Sequence, residues 1–284
     1  MTVASPISRE KILTTARLLP AAPQVMAGLC ELLQDVNSDL SQVAEQIRVD
    51  AALAARIIRM SNSASFGGAI RLGSVDDAVN RVGFGEVLRL VGIATVAGLA
   101  ERSLACYGVG AEPLRESLLL HALASETLAR EANLEPRLAY TGGLLRAVGI
   151  MVLDRIGRDR TVPPQAFDRQ KFPSYTEWEV EVFGVESTDV ATTVLDEWRF
   201  APELVVAIQS QHLGREGDLA DPFACVLNLA GGIVAESGRA LPGEAASWTV
   251  TPAKLAGAGL SAEQWQAAGV QARALFEQHC AELY

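Results

Sequence analysis

Histidines are the side chains of this sequence best suited to metal binding or general acid-base chemistry, and there are three of them. No HExxH, P-loop, GxSxG or calcium-loop pattern accompanies them, nor does a GxGxxG motif follow a strand. His121 lies among leucines and alanines, which predicts a hydrogen-bonded core histidine, with a metal ligand as the alternative. We expect His212 to interact with a helix C-terminus and His279 to lie on the surface.

The four cysteines show neither metal-binding nor disulfide spacing. Cys30, Cys106, Cys225 and Cys280 are far apart and form no CxxC pair, so we expect buried thiols in a reducing cytoplasm. The N-terminus has no apolar signal segment, and the longest apolar run, Leu90–Ala100, is shorter than the roughly 20 residues that span a bilayer. These features predict a soluble, cytoplasmic protein.

The composition indicates a folded helical protein. Of 284 residues, 49% are hydrophobic and 20% charged, far too apolar for a disordered chain. Aromatic residues make up only 6%, and alanine, leucine and valine dominate, which favours packed helices over a β-sandwich. The formal charge of -10 opposes nonspecific binding to a phosphate backbone, although Arg81, Arg89 and Arg102 could form a local basic patch.

Short helices with capping residues are predicted over residues 20–83. Asp50 precedes an apolar helical stretch and is placed to accept from its free N–H groups. Ser74 with Asp77 has capping-box spacing. A longer helix over Phe84–Ala105 is apolar on nearly every side, which predicts a buried spine that joins two lobes.

The second half also reads as helices, with no strand-like alternation of useful length, so the predicted fold class is all-α. Residues 157–173 and 240–259 are predicted to be loops. Two helix starts carry capping-box spacing, Ser174 with Glu177 and Ser261 with Gln264. The predicted helices are Leu114–Asn133, Pro136–Ile156, Ser174–Phe183, Glu186–Trp198, Pro202–His212, Pro222–Gly238 and Ser261–Glu282.

A co-linear series of short motifs between about Leu13 and Leu213 resembles the HDOD domain, a relative of the HD metal-dependent phosphohydrolases. The residues that carry the resemblance, which we expect to be structural, are Pro20, Pro23, Asp50, Asn62, Ser63, Gly143, Gly149, Trp198 and Pro202. Asn62 and Ser63 are expected to satisfy backbone groups at a buried helix end. Each motif is weak alone, but their order and spacing agree with the family.

The resemblance implies an N-terminal helical subdomain packed on an HD-like helical core. We therefore expect a short extension at 1–12 and an HDOD domain at 13–213, divided into a subdomain at 13–106 and a core at 107–213. Residues 214–284 are expected to add helices that pack on the core, with an apolar stripe formed by Trp265, Val270, Leu275 and Phe276.

The resemblance also locates the positions of the ancestral metal site. In catalytic HD enzymes a His-Asp pair follows Gly-Leu-Leu, and here those positions hold Arg146 and Ala147. A guanidinium is permanently cationic and a methyl group has no donor atom, so neither ligates a divalent metal. No metal, cofactor or catalytic residue is therefore expected.

We call the positions that match the ancestral metal site the relic site, and its other positions also lack metal ligands. Ser187 stands where relatives often have a histidine after Phe-Gly. By the resemblance, His121 matches an outer ligand and His212 the last imidazole, with Asp189 the nearest carboxylate. Two histidines and one carboxylate do not rebuild a metal site.

Arg146 has two interpretations. In the first, it forms a surface salt bridge to Asp154 or to an acid nearer the C-terminus. In the second, it makes the relic pocket a site for an anionic small molecule, because its fork of donors suits phosphate or carboxylate. Asp154 lies eight residues along the predicted helix, about 12 Å by rise, so a partner from another segment is favoured.

The favoured function is a noncatalytic, regulatory module of bacterial signal transduction that binds signalling proteins in trans. The sequence shows no receiver, GGDEF or EAL segment, so we expect a stand-alone HDOD protein. The alternative is a metal-dependent phosphohydrolase or nucleotide-binding protein with an atypical HD site. Nucleic-acid binding is a third interpretation, disfavoured by the acidic charge.

Overall fold

A computed structural model of the chain describes residues 6–19, 25–29, 32, 39–62, 71–99 and 102–280. The described residues form helices and no strand, apart from one isolated bridge between Leu104 and Val109, so the all-α prediction is confirmed. None of the described helices is both long and apolar enough to cross a membrane. The numbered helices are α1 (Arg9–Ala16), α2 (Leu40–Arg48), α3 (Ala51–Ser61), α4 (Val75–Val82), α5 (Phe84–Leu99), α6 (Ala111–Glu131), α7 (Pro136–Leu145), α8 (Val148–Arg158), α9 (Tyr175–Phe183), α10 (Ser187–Glu197), α11 (Pro202–Gln209), α12 (Pro222–Glu236), α13 (Pro252–Ala258) and α14 (Ala262–His279). Residues 25–29 are also helical.

The described residues belong to two compact units. The N-terminal unit contains the described residues between 25 and 99, and the core unit contains residues 6–19 and 102–280. The two units divide near residue 100, whereas the predicted boundary between subdomain and core lay between residues 106 and 107. Helix α1 starts inside the predicted 1–12 extension and packs on α8 and α10 of the core unit.

Local capping explains where the helices of the N-terminal unit begin. The Asp50 carboxylate accepts from the backbone N–H of Leu53 at 3.0 Å, and the Ser74 hydroxyl accepts from the N–H of Asp77 at 3.1 Å. Both interactions satisfy amides that a helix start leaves without an internal partner. The capping predicted from the sequence is confirmed at both positions.

Asn62 has a structural role at the surface, so its predicted burial is wrong. Its amide nitrogen donates to the carbonyl of Leu72 at 3.0 Å, and its side-chain oxygen accepts from the N–H of Leu72 at 2.8 Å. The side chain of Asn62 is exposed, and Leu72 is only partly buried. Pro20, Pro23 and Ser63 lie outside the described residues.

The spine helix is shorter than predicted. Helix α5 ends at Leu99, whereas residues 105–107 form a separate 3-10 turn in the core unit. Within α5, Arg89 forms an ion pair with Glu86 at 2.7 Å. The guanidinium therefore has an internal acidic partner, which weakens the suggested basic patch at this position.

Close helix contacts in the core unit depend on glycine. Helix α6 packs against α7, α12 and α14. At Gly143 on α7, an added Cβ would lie 2.5 Å from the Cα of Ala122 on α6, far below normal contact distance. Gly143 therefore permits a backbone approach that a side chain would prevent.

The single helix predicted over Pro136–Ile156 is two helices. It breaks at Arg146 and Ala147, between α7 and α8. The carbonyl of Arg146 at this break accepts from the side-chain amide of Gln211 at 3.1 Å, a contact made across 65 residues of sequence. Helical periodicity contains no information about a hydrogen bond between distant segments, so the sequence pattern predicted one continuous helix through the break.

The predicted loop over 240–259 is also wrong, since it contains the 3-10 turn Ala245–Trp248 and helix α13. Beyond it, α14 packs on α6 with Trp265 and Phe276 buried. Val270 is 64% exposed and does not belong to that apolar stripe.

His279 is buried, which corrects its predicted surface position. Cys106 and Cys225 are buried as expected, Cys280 is only partly so, and Cys30 lies outside the described residues.

Candidate functional site

A buried ion pair involves Arg146, which the resemblance assigns to the centre of the relic site. Both terminal nitrogens of Arg146 donate to the carboxylate of Glu244, each at 2.9 Å. The two side chains are only 1% and 3% exposed. Glu244 comes from the segment predicted to be a loop, 98 residues further along the chain. The expected partner from another segment therefore exists, but it is buried instead of lying on the surface.

Trp248 packs beside this ion pair. The guanidinium carbon of Arg146 lies 5.3 Å from the centroid of the indole ring, within cation–π range. The rings of His121 and His212 lie 5.7 Å and 5.2 Å from Trp248. The tryptophan thus brings together three positions that the resemblance assigned to the relic site.

His121 is a buried structural histidine in this arrangement. Its Nε2 lies 2.8 Å from the carbonyl of Leu227, which requires Nε2 to carry the proton and to donate it. Burial, together with the nearby charge of Arg146, holds the pKa of His121 well below its ordinary value. The imidazole is therefore neutral at physiological pH, in agreement with the predicted core role.

His212 faces Glu244 and does not cap a helix. Helix α11 ends at Gln209, and Nε2 of His212 lies 3.6 Å from Oε1 of Glu244, longer than a hydrogen bond. Burial by itself would raise the pKa of Glu244, but the charge of Arg146 and the neighbouring His212 lower it to about 2. Glu244 is therefore a carboxylate at neutral pH.

Two amide side chains support the ion pair from the core. Gln211 donates to the carbonyl of Arg146, and Asn228 donates to the carbonyls of Gln211 and Ser247 at 2.7 Å and 3.1 Å. The amide oxygens of Gln211 and Asn228 have no protein partner among the described residues, and neither do Nδ1 of His121 and Nε of Arg146. The site is thus polar on its inner wall.

Ser187 lies in a neighbouring network around the buried carboxyl group of Glu179. The backbone N–H of Ser187, at the start of α10, donates to Glu179 at 2.7 Å, and the hydroxyl of Tyr107 donates to the other oxygen at 2.8 Å. Burial raises the pKa of Glu179 to about 7, although these two hydrogen bonds oppose the shift. The group therefore titrates near neutral pH.

This shift predicts a pH dependence of stability. An acid whose pKa rises on folding binds its proton more tightly in the folded state, so the unfolding free energy falls as pH rises from about 4.5 to about 7. The Glu179→Gln variant keeps an acceptor for Ser187 but cannot ionise. We expect its melting temperature to decline less between pH 5 and pH 8 than that of the parent, measured by thermal unfolding followed by circular dichroism.

Glu177→Gln is the matched control for this experiment, since Glu177 is exposed on the same helix. Its pH profile should follow that of the parent. Parallel profiles for the parent and Glu179→Gln would contradict the assignment of the neutral titration to Glu179.

The other residues predicted for the relic site, or as partners of Arg146, lie outside the ion-pair cluster or have no polar side-chain atom. Asp189 accepts from Arg215 at 3.1 Å and from Gln209 at 3.3 Å, and its side chain is 40% exposed. Asp154 pairs with Arg158 and not with Arg146. Ala147 is fully buried at the start of α8.

The site does not fit the divalent metal of catalytic HD proteins. Arg146 places a cation at the centre, and Ala147 offers no donor atom. Among the residues that the structure describes, no group of three or more His, Cys, Asp or Glu side chains is arranged to hold a metal ion. What the arrangement does provide is a guanidinium fork that holds a carboxylate away from water.

Sequence reasoning missed Glu244, Trp248, Gln211, Asn228 and Glu179. Glu244 and Trp248 fell in a predicted loop, although a tryptophan in a stretch rich in alanine, glycine and proline was a signal that the stretch has a buried anchor. No local pattern distinguishes Gln211, Asn228 or Glu179, because their roles depend on partners in other segments.

Comparison with known protein families gives one match that covers most of the chain. The HDOD domain matches residues 19–213. Comparison with curated proteins gives no significant match.

Solved structures share this fold at low sequence identity. An HDOD domain protein of unknown function from Geobacter sulfurreducens is 18% identical, with a TM-score of 0.63 and coverage of 98% of this chain and 99% of the other. A candidate phosphohydrolase from Shewanella amazonensis SB2B is 23% identical, with a TM-score of 0.62 and 96% of each chain covered. A candidate signal transduction protein from Marinobacter aquaeolei VT8 is 21% identical, with a TM-score of 0.71 and coverage of 100% of this chain and 62% of the other.

Proposed function

Because the chain belongs to the HDOD family, we propose that it is a noncatalytic regulatory protein that acts by binding signalling proteins in trans in the bacterial cytoplasm. One observation carries the proposal: the centre of the HD-derived site holds the buried Arg146–Glu244 ion pair. A guanidinium fixed at this point repels a divalent cation, and its carboxylate partner is already fully engaged. The similarity to a candidate signal transduction protein agrees with a regulatory role.

The alternative, a phosphohydrolase with an atypical metal site, would require His121, Asp189 and His212 to converge. Nε2 of His121 is engaged with the carbonyl of Leu227, and Asp189 is engaged with Arg215. A water molecule needs a Lewis acid or a well-placed base to attack phosphorus at neutral pH. These contacts favour the noncatalytic proposal, and the similarity to a candidate phosphohydrolase makes the assay below necessary.

We predict that the purified protein binds no stoichiometric divalent metal and hydrolyses neither phosphomonoesters nor phosphodiesters. The test is elemental analysis after purification without chelators, followed by assays with nitrophenyl phosphate, bis-nitrophenyl phosphate and cyclic nucleotides in the presence of manganese, iron or zinc. The double variant R146H/A147D restores the ancestral side chains and serves as the comparison for metal uptake. About one metal ion per chain in the parent, with turnover, would overturn the proposal.

The proposal also states that the chain binds a signalling protein, and this part needs its own test. Cross-linking in the cells of origin, followed by reconstitution from purified components, should give a saturable complex with a signalling protein. Binding that instead required nucleic acid and fell steeply with salt would favour the nucleic-acid interpretation. The formal charge of -10 and the Arg89–Glu86 pair oppose that outcome.

A further inference from the structure

We propose that Arg146 forms a carboxylate-binding site in the core unit, and that residues 241–250 form a strap that fills this site with its own carboxylate, Glu244. The strap acts as a tethered ligand. Removal of the Glu244 carboxylate should leave a site for a small carboxylate from solution. The inference concerns binding within the fold and does not depend on the proposed noncatalytic function.

The geometry of the ion pair is that of ligand recognition. Two parallel hydrogen bonds of 2.9 Å join the planar fork of Arg146 to both oxygens of Glu244, the arrangement in which guanidinium groups bind carboxylates most specifically. Both side chains are almost fully buried. Inside the protein this contact is stronger than in water, so the site is a built anion site and not a surface ion pair.

The strap is held mainly by contacts with the rest of the core unit. The carbonyl of Gly243 accepts from the N–H of Tyr175 at 3.0 Å, and the carbonyl of Ser247 accepts from Asn228. Trp248 lies against Gly231, where an added Cβ would come within 2.4 Å of the indole. The only regular structure in the strap is the short 3-10 turn that contains Trp248.

Regular structure contributes little to holding the strap in place, so it depends on these contacts, on the buried side chains of Leu241 and Trp248 and on the ion pair. Glu244 is the one charged side chain in the strap, so its loss removes the one charged anchor.

The wall beneath the strap favours a polar occupant. Five buried atoms there have no hydrogen-bond partner among the described residues. They are Nδ1 of His121, Nε of Arg146, Nε2 of His212 and the amide oxygens of Gln211 and Asn228. Buried polar groups normally have partners, and water or a polar ligand satisfies those that protein does not. A cavity opened by loss of the Glu244 side chain would present the guanidinium fork of Arg146, which suits formate or acetate, while water could donate to the unpaired acceptors.

The experiment is chemical rescue of Glu244→Ala. Thermal unfolding is followed by tryptophan fluorescence, which reports on the core unit because all four tryptophans belong to it. We expect a large loss of melting temperature in chloride and a saturable recovery of most of it in formate or acetate at equal ionic strength, as mass action requires for a ligand that binds only the folded state. The parent should not respond.

Removal of the fork provides the control. In the double variant R146M/E244A the site has no cation, so formate and chloride should give the same melting temperature. Equal effects of formate and chloride on Glu244→Ala, or an equal formate response in the double variant, would overturn the proposal. If Glu244→Ala does not fold in chloride, the yield of refolded protein in formate against chloride gives the same comparison.

Trypsin provides a second readout, because Arg239 and Lys254 flank the strap. Glu244→Ala should be cleaved at these positions faster than the parent, and formate should restore protection. Failure of the noncatalytic proposal would appear as metal binding and turnover, which neither rescue nor proteolysis measures, so the two proposals fail separately.

Discussion

Replacing Arg146 with methionine should destabilise the core unit by about 3–5 kcal/mol, because it leaves the carboxylate of Glu244 buried without its cation. Methionine preserves much of the side-chain volume, so the loss reports on charge more than on packing. Urea unfolding followed by tryptophan fluorescence measures this effect. The variant stays folded under native conditions if the unfolding free energy of the parent core unit exceeds this loss.

The double variant R146M/E244M separates the ion pair from its surroundings. Replacement of both charges by apolar groups removes the buried charges together, and such replacements are often neutral or stabilising. We therefore expect the double variant to be much closer in stability to the parent than R146M is. A double variant at least as unstable as R146M would show that the pair is not the source of the loss.

The pH dependence of this comparison has a definite sign. The pKa of Glu244 is lowered to about 2 in the parent, so its contribution to stability is present above its ordinary pKa and is lost as pH falls toward 2. In R146M the isolated carboxyl group is relieved by protonation. The difference in unfolding free energy between the parent and R146M should therefore shrink as pH falls from 7 toward 4.

Replacing Gly149 with alanine should destabilise the core unit by roughly 3 kcal/mol, at the upper end of the range for overpacking. Gly149 lies in α8, where an added Cβ would be 1.8 Å from the backbone oxygen of Ser187 at the start of α10. Because the obstacle is backbone, no side-chain rotation relieves it, and the two helices must separate. The same urea titration measures the loss.

Gly269→Ala is the matched control, since Gly269 also lies within a helix but an added Cβ would meet only side-chain atoms at 3.4 Å, an ordinary contact. Alanine has the higher helix propensity, so this variant should be neutral or more stable by up to about 1 kcal/mol. Equal losses for the two variants would show that the loss at Gly149 comes from glycine replacement in general and not from the α8–α10 contact.

The sequence by itself determined the fold class and most helix starts. At Asp50, Ser74 and Ser261, a side chain bonds to a backbone N–H within three residues, so the information needed to begin each helix is local. The HDOD resemblance rested on the order and spacing of short motifs, and it assigned Arg146 and Ala147 to the relic site. It did not reveal the helix break at these two residues.

Tertiary structure decided what the relic site contains. Arg146 meets Glu244 across 98 residues, and the pair is sheltered by Trp248 from the same strap. Which acid meets a given arginine depends on the path of the chain between them. The sequence contains many acidic residues, and no local pattern singles out one of them as the partner of Arg146. The burial of His279 and the exposure of Asn62 have the same origin, because burial is set by the neighbours that the fold brings from distant segments.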